Sequence, residues 1–261
     1  LMGVLNITPD SFSDGGKFNT NKKAMKRIKE MTNSGADIID IGGESTRPGS
    51  KIISSKNEWE RVKGVIKKFK FFFPKTLLSV DTRKSLVMEN SIKYKADIIN
   101  DVSCFKFDRE IFKVIQNKNL WKIIHHMQGT PQNMQINPKY RHVLLDIYDF
   151  FENEIFKLKG DDYLNKVILD PGVGFGKNLK HNLMILNKIS IFHSLGFPIL
   201  IGTSRKRFIN QISKNFDSKE RLGGTLSSVL HSLSQGVQVF RVHNVEEVKQ
   251  GILVFETLLN R

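Results

Sequence analysis

The stretch DIIDIGGESTRPGS, Asp37–Ser50, combines the two features that decide the fold. Its first part is a short apolar, β-branched run that ends at Gly42, and its second part is a loop rich in Gly, Pro and polar residues. A longer amphipathic segment, Asn57–Lys70, follows this loop and is predicted to be a helix. A buried strand, a polar loop and a helix in this order are typical of one βα unit in a parallel sheet.

The same unit recurs along the whole sequence. Runs predicted as strands lie at Met2–Asn6, Asp37–Gly42, Leu77–Asp81, Ile98–Asp101, Trp121–His125, Val167–Asp170, Ile199–Gly202 and Val239–Val242. Segments predicted as helices lie near Asn21–Ser34, Asn57–Lys70, Lys84–Tyr94, Arg109–Asn117, Val143–Leu158, Leu179–Lys188, Ser218–Gln235 and Val245–Leu259. Eight alternations predict an α/β fold, a (β/α)8 TIM barrel, as a single domain over residues 1–261. Because the first strand begins at once, we expect a truncated N-terminus or a longer polypeptide, with a fused upstream domain as one option.

Composition limits the classes of function. Hydrophobic residues form 39% of the chain and charged residues 26%, which fits a globular domain rather than a disordered segment. The single cysteine, Cys104, excludes an internal disulfide framework, and no apolar run is long enough for a membrane span. We therefore expect a cytoplasmic protein without a membrane partner.

The formal net charge of +15 leaves a nucleic-acid-binding protein as one alternative. The positions of the lysines favour another interpretation. Clusters such as Lys67, Lys68 and Lys70 fall within predicted helices and belong to no recognised binding motif. Since such clusters usually mark solvated helix faces, no nucleic-acid partner is expected.

Polar residues stand at or just beyond the end of nearly every predicted strand. They are Asn6, Asp40, Asp81, Asn100, Asp101, His125, His126, Asp170, Ser204, Lys206, Arg241 and His243. In a barrel these strand ends converge on one mouth, where active sites are found, so we expect a shared site there. The competing interpretation of single residues is structural: Asp81 and Asp170 would be helix N-caps, and Asn100 would form a turn.

Three Gly-rich loops and six shorter segments carry a resemblance to a known family. The loops are NITPDSFSDGG (Asn6–Gly16), DIGGESTRPGS (Asp40–Ser50) and DPGVGFGK (Asp170–Lys177). The segments are SVDTRK, INDVS, HMQGTP, GTSRK, RLGGT and RVH. Taken in the order in which they occur along the chain, these nine elements resemble the signature segments of dihydropteroate synthase. The resemblance implies a folate-pathway transferase that condenses 6-hydroxymethyl-7,8-dihydropterin pyrophosphate with p-aminobenzoate, usually a homodimer with Mg2+, in which sulfonamides compete with p-aminobenzoate.

The resemblance also implies three subsites. The pterin would contact Asp81, Asn100, Asp170 and Lys206, with Met127 as an apolar wall. Pyrophosphate would bind Asn6, Arg241 and His243, and Asn6 would also ligate Mg2+. p-Aminobenzoate would be enclosed by Thr46, Arg47, Pro48, Phe175, Ser204 and the Lys206 stem. Asp81 and Asp40 would stabilise positive charge on the pterin. These types fit the chemistry, because carboxylates and amides pair with an amino-pyrimidine edge and cations with a departing diphosphate.

The implied mechanism needs no protein nucleophile. Pyrophosphate leaves first to give a pterin methylene cation, and the arylamine then attacks it. Cys104 stands where the family usually has Gly and is interpreted as a packing residue. Adjacent His125 and His126 should face opposite sides of a strand, so they are not expected to chelate one metal ion together. A pterin-binding methyltransferase barrel is the nearest alternative, although it would not need the STRPGS, SRK and RVH segments.

Overall fold

A computed structural model describes residues 1–8, 17–46, 49–160, 162–214, 217 and 220–259. Within them lie strands β1 Met2–Asn6, β2 Ile38–Gly42, β3 Leu77–Asp81, β4 Ile98–Asp101, β5 Trp121–His125, β6 Val167–Asp170, β7 Leu200–Ile201 and β8 Val239–Val242. The helices are α1 Lys17–Asn33, α2 Ser55–Phe72, α3 Ser85–Lys93, α4 Ile111–Ile115, α5 Val143–Lys157, α6 Leu179–Asn187, α7 Arg207–Ser213, α8 Leu222–Leu233 and α9 Val245–Leu259. A 3-10 helix, Ile189–Leu195, follows α6.

The strands form one parallel sheet that closes into a barrel. Their order is β6-β5-β4-β3-β2-β1-β8-β7, and every paired neighbour is parallel. A bridge between Leu169 and Ile199 joins the two ends, where the Leu169 amide donates to the carbonyl of Pro198 at 2.8 Å. The predicted (β/α)8 barrel is confirmed.

Strand alternation divides the barrel interior into a dry base and a polar mouth. Residues two apart on a strand share a face. An apolar layer near the strand starts consists of Met2, Ile38, Ile98, Ile123, Ile168 and Leu200. Two positions later the same face carries Asp40, Asn100 and Asp170. The intervening residues, such as Ile39, Ile41 and Ile99, pack outward in the main core against the helices.

One helical segment differs from the sequence prediction. The helix predicted at Ser218–Gln235 begins only at Leu222, and the short helix α7 precedes it. α7 buries Phe208 and Ile209 and ends at Lys214, whose φ of 59° lies in the left-handed region. Three apolar residues in seven, of which Ile212 is exposed, are too few to give a clear helical period.

Cys104 lies in the turn after β4, where its φ of 52° is in the left-handed region that favours glycine. The side chain is buried, and burial raises the pKa of its thiol. These features support a packing role.

Among the described helices, none is long and apolar enough to span a membrane.

Candidate active site

The floor of the barrel mouth is an ion-pair network centred on Arg241. Its Nε donates to Asp40 Oδ2 at 2.7 Å, and its Nη2 donates to Asp81 Oδ2 at 3.0 Å. Ser79 Oγ donates to Asp40 Oδ1 at 2.6 Å, and Asn100 Nδ2 donates to Asp40 Oδ2 at 3.2 Å. Side chains from β2, β3, β4 and β8 are therefore joined in one hydrogen-bonded network.

The network has more anionic than cationic groups. Burial and the neighbouring Asp40 carboxylate raise the pKa of Asp81. Burial opposes the charge of Arg241, but Asp40 and Asp81 outweigh this effect and raise its pKa. Because the pKa of Asp81 is about 8, the three groups are close to neutral together near pH 7 and reach a net charge of −1 only when Asp81 is also ionised. Such a cluster suits a ligand that develops positive charge.

Asp170 and Asn100 leave acceptor atoms for a ligand. Asp170 Oδ1 accepts the Gly172 amide at 2.8 Å, whereas its Oδ2 lies 3.8 Å from His125 Nε2. Asn100 Oδ1 is buried and has no hydrogen-bond partner among the described residues. Burial raises the pKa of Asp170 to about 6. Because a buried acceptor without a partner is costly, these atoms fit the amino and amide donors of a bound heterocycle.

The helix-cap interpretation of the two aspartates is wrong. The N-cap of α3 is Lys84, and that of α6 is Asn178, which forms a capping box with His181. Asp81 and Asp170 instead end their strands inside the mouth.

Phe175 and Lys206 form the wall next to Asp170. Lys206 Nζ lies 4.0 Å from the centroid of the Phe175 ring, and the His125 ring meets that ring edge-on at 4.6 Å. Burial, followed by the charge of Arg241, lowers the pKa of Lys206 to about 8. The wall thus combines a flat apolar surface with one cation, as the sequence interpretation requires.

In the same loop as Lys206, Ser204 Oγ lies 3.0 Å from His243 Nδ1 at the end of β8. The Ser204 hydroxyl also accepts the His243 amide at 3.2 Å. Asn6 is half-buried, and its Oδ1 lies 3.5 Å from the point that a Cβ on Gly42 would occupy. The Asp81 Cβ lies at the same distance from that point, so Asn6 and Asp81 flank Gly42.

Some predicted site residues are placed differently or are not described. Arg47 and Pro48 lie outside the described residues, and Thr46 is half-buried at the last position before them. Met127 is half-buried beyond the end of β5. His125, which the sequence interpretation treated as a rim or packing residue, takes the inward position, with 3% of its surface exposed. The alternation from Ile123 was the signal that could have identified it.

The two strand-end residues Asp101 and His126 point away from the mouth. Asp101 accepts hydrogen bonds from the Ser103 and Phe105 amides at 2.7 and 2.9 Å, and so shapes the loop after β4. His126 Nδ1 lies 2.9 Å from Lys177 Nζ, on the helix side of the sheet. The predicted opposite orientations of His125 and His126 are confirmed.

Comparison with known proteins agrees with the resemblance found in the sequence. The profile described as "Pterin binding enzyme" matches residues 2–243. The dihydropteroate synthase of Escherichia coli strain K12 is 40% identical over 261 residues, covering 100% of this chain and 92% of the relative. The chain belongs to the dihydropteroate synthase family of pterin binding enzymes.

Solved structures of the family superpose closely. The Yersinia pestis dihydropteroate synthase in a sulfonamide drug complex gives a TM-score of 0.93 at 38% identity, covering 100% of this chain and 94% of that one. The Xanthomonas albilineans enzyme with 4-aminobenzoic acid gives 0.92 at 32% identity, with 100% and 93% coverage. Its complex with 7,8-dihydropteroate gives 0.88 at 29% identity, again covering 100% and 93%.

Proposed function

We propose that this chain is a transferase of folate biosynthesis that condenses 6-hydroxymethyl-7,8-dihydropterin pyrophosphate with p-aminobenzoate, releasing 7,8-dihydropteroate and pyrophosphate. The observation that carries the proposal is the buried set of Asp81, Asn100, Asp170 and Lys206 at one barrel mouth. Carboxylate and amide oxygens match the donors of the aminopyrimidine ring, and the ammonium of Lys206 matches its carbonyl. Full-length similarity to dihydropteroate synthases supports the same assignment.

The reaction begins with departure of pyrophosphate. Arg241 and His243 lie together at the end of β8 and bind the leaving group, on which negative charge accumulates. The remaining pterin methylene cation faces Asp40 and Asp81, and its positive charge favours the ionised form of Asp81, whose pKa is otherwise raised to about 8. The arylamine of p-aminobenzoate then attacks the cation, and its proton leaves to solvent or to the released pyrophosphate.

p-Aminobenzoate binds beside Phe175. The Phe175 ring and the Lys206 stem offer its ring an apolar surface, while the Ser204 hydroxyl donates to its carboxylate. The resemblance to the family is the basis for assigning Thr46, Arg47 and Pro48 to this subsite as well, and Arg47 and Pro48 lie outside the described residues. The sulfonamide and 4-aminobenzoic acid complexes of related enzymes support this subsite, and sulfonamides act here as competitors of p-aminobenzoate.

Mg2+ is proposed at Asn6. The described residues contain no cluster of three or more His, Cys, Asp or Glu that could enclose a metal ion by itself. An amide oxygen at Asn6, close to Asp81, still fits a hard cation that takes its other ligands from water and phosphate. When bound, Mg2+ supplies charge neutralisation on the pyrophosphate.

A homodimer is proposed through the face formed by α6, α7 and α8. This face contains an apolar groove of about 640 Å³, in which Leu183 and Ile212 are 41% and 56% exposed. Exposed apolar surface of this kind marks an association site. Ile212→Asp is expected to give monomers in sedimentation equilibrium, and an unchanged dimer would place the interface elsewhere.

The single free cysteine supports a reducing compartment, so we propose the cytoplasm as the place of action.

The decisive assay mixes the purified chain with pterin pyrophosphate, radiolabelled p-aminobenzoate and Mg2+. Labelled dihydropteroate and an equal amount of pyrophosphate are expected, and Asp170→Asn should strongly reduce both. A methyltransferase barrel would instead transfer a methyl group from methyltetrahydrofolate to a corrinoid. A nucleic-acid-binding protein would form complexes that weaken steeply with salt. Either result without dihydropteroate formation would overturn the proposal.

A further inference from the structure

A buried lysine lies beneath the p-aminobenzoate wall and has no part in the proposed reaction. Lys177 ends the loop after β6, and only 2% of its surface is exposed. Its Nζ lies 2.9 Å from His126 Nδ1, donates to the Phe175 carbonyl at 2.9 Å and donates to the His126 carbonyl at 3.3 Å. An ammonium has three N–H donors, so these three acceptors satisfy it completely.

The loop after β6 is held by a row of three side-chain donors, two from the segment after β5 and one from the loop itself. The carbonyls of Gly174, Phe175 and Gly176 each accept one side-chain hydrogen bond. Gln135 supplies the first at 2.8 Å, Lys177 the second at 2.9 Å, and Tyr140 the third at 2.8 Å. Of these three donors, Lys177 is the one that binds the carbonyl of the residue facing the mouth.

The two loops approach too closely for side chains between them. A Cβ on Gly172 would lie 1.9 Å from the His126 carbonyl oxygen, and one on Gly176 would lie 2.4 Å from the Gln128 carbonyl oxygen. Water therefore has little room to replace a missing donor. Burial also lowers the pKa of Lys177, while Asp170 favours its charged form. The amine is therefore held in place by its protein hydrogen bonds, because it is shielded from bulk water.

We propose that Lys177 is a positioning residue for p-aminobenzoate, acting through the Phe175 main chain and the His126 imidazole. By fixing the Phe175 carbonyl, it sets the angle of the Phe175 ring against Lys206 and His125. The inference rests on the proposed function, because it assumes that p-aminobenzoate lies on this ring. The pterin contacts of Asp81 and Asn100 come from other strands and should be unaffected.

The test compares Lys177→Met with Lys177→Gln, which keeps one donor for the Phe175 carbonyl. Loss of a hydrogen bond from a charged group predicts a rise of about tenfold or more in KM for p-aminobenzoate with Lys177→Met. The KM for pterin pyrophosphate should change less than about twofold, and Lys177→Gln should fall between wild type and Lys177→Met. Exposed Lys188→Met is the matched control and should behave as wild type.

A double-variant cycle separates positioning from general loosening of the fold. If Lys177 acts through Phe175, its substitution should have little further effect on KM for p-aminobenzoate in a Phe175→Ala background. Equal increases in both KM values, or full additivity with Phe175→Ala, would overturn the inference. If Lys177→Met does not fold, Lys177→Gln alone decides by the same criteria. An inactive wild type would refute the proposed function, whereas an active wild type with unchanged Lys177 variants would refute only the positioning role.

Discussion

Replacing Arg241 with Met should destabilise the protein strongly, and the effect should depend on pH. The change leaves Asp40, with a fully buried side chain, and Asp81, with 8% exposure, facing each other without a cation. Removing one member of a buried ion pair costs about 3–5 kcal/mol, and because the Arg241 side chain is 21% exposed we expect about 3 kcal/mol at pH 8. The measurement is urea unfolding followed by circular dichroism.

The pH dependence follows from the proton balance. In the variant, a carboxyl of the pair takes up a proton in the folded state at a pH where the unfolded chain has lost it. Folding then binds a proton, so the free energy of unfolding rises by up to about 1.4 kcal/mol per unit as pH falls. Wild type takes up the same proton below pH 8, because burial and Asp40 hold the pKa of Asp81 at about 8 even beside Arg241. The deficit against wild type should therefore change little between pH 8 and pH 6 and grow by about 1 kcal/mol or more between pH 8 and pH 9.5. Arg241→Met with Asp40→Asn should also recover part of it.

An exposed ion pair provides the control for this experiment. The Lys113–Glu110 side chains are 76% and 59% exposed, so Lys113→Met should change stability by less than about 1 kcal/mol at either pH. A deficit for Arg241→Met that is equally small, or that is the same at pH 8 and pH 9.5, would refute the account of the network.

Activity and loop packing give three more tests. Since burial raises the pKa of Asp170 to about 6 and lowers that of Lys206 to about 8, kcat/KM for the pterin substrate should rise through pH 6 and decline above pH 8. A flat profile would contradict these roles. Asp170→Asn should reduce kcat/KM by about 100-fold or more, measured as dihydropteroate formation, because a buried donor of the pterin then lacks its anionic acceptor. Gly172→Ala, with φ 66° and a clash against the His126 carbonyl, should lower the free energy of unfolding by about 2 kcal/mol or more, whereas Gly223→Ala should change it by less than about 1 kcal/mol. Equal urea midpoints for the two glycine variants would contradict the close loop packing.

The strands were predictable because each is a short apolar run with a polar end. Six of the predicted runs coincide with observed strands in both limits, from Met2–Asn6 to Val239–Val242, whereas β2 and β7 are shorter. The short length of β7 follows from the small number of backbone pairs that it makes with its two neighbouring strands. Its neighbour β6 meets it through a single bridge at Leu169, and its ladder with β8 is only two residues long. Sequence shows a strand's apolar pattern but not how many partners it finds.

The site was predictable in its residues more than in its connections. Alternation identifies which strand ends share a mouth, and it correctly separates His125 from His126. It does not show that Arg241 pairs with Asp40 and Asp81, because those partners are 201 and 160 residues away in the sequence. The burial of Lys177 could not be predicted for a different reason. A lysine after a Gly-rich loop is usually solvated, and here the close approach of two loops buries it.

The connections of Arg241 explain how one guanidinium can serve both folding and substrate binding. Its bond to Asp40 is reinforced because Asp40 also accepts from Ser79 and Asn100. Its bond to Asp81 is the weaker of the two, since Asp81 has a raised pKa and loses its charge more readily. An incoming pyrophosphate would therefore compete for the Nη2 side of Arg241 and leave the Nε bond to Asp40 in place. Asp81 would then turn its oxygen toward the pterin ring at the moment when the leaving group is held.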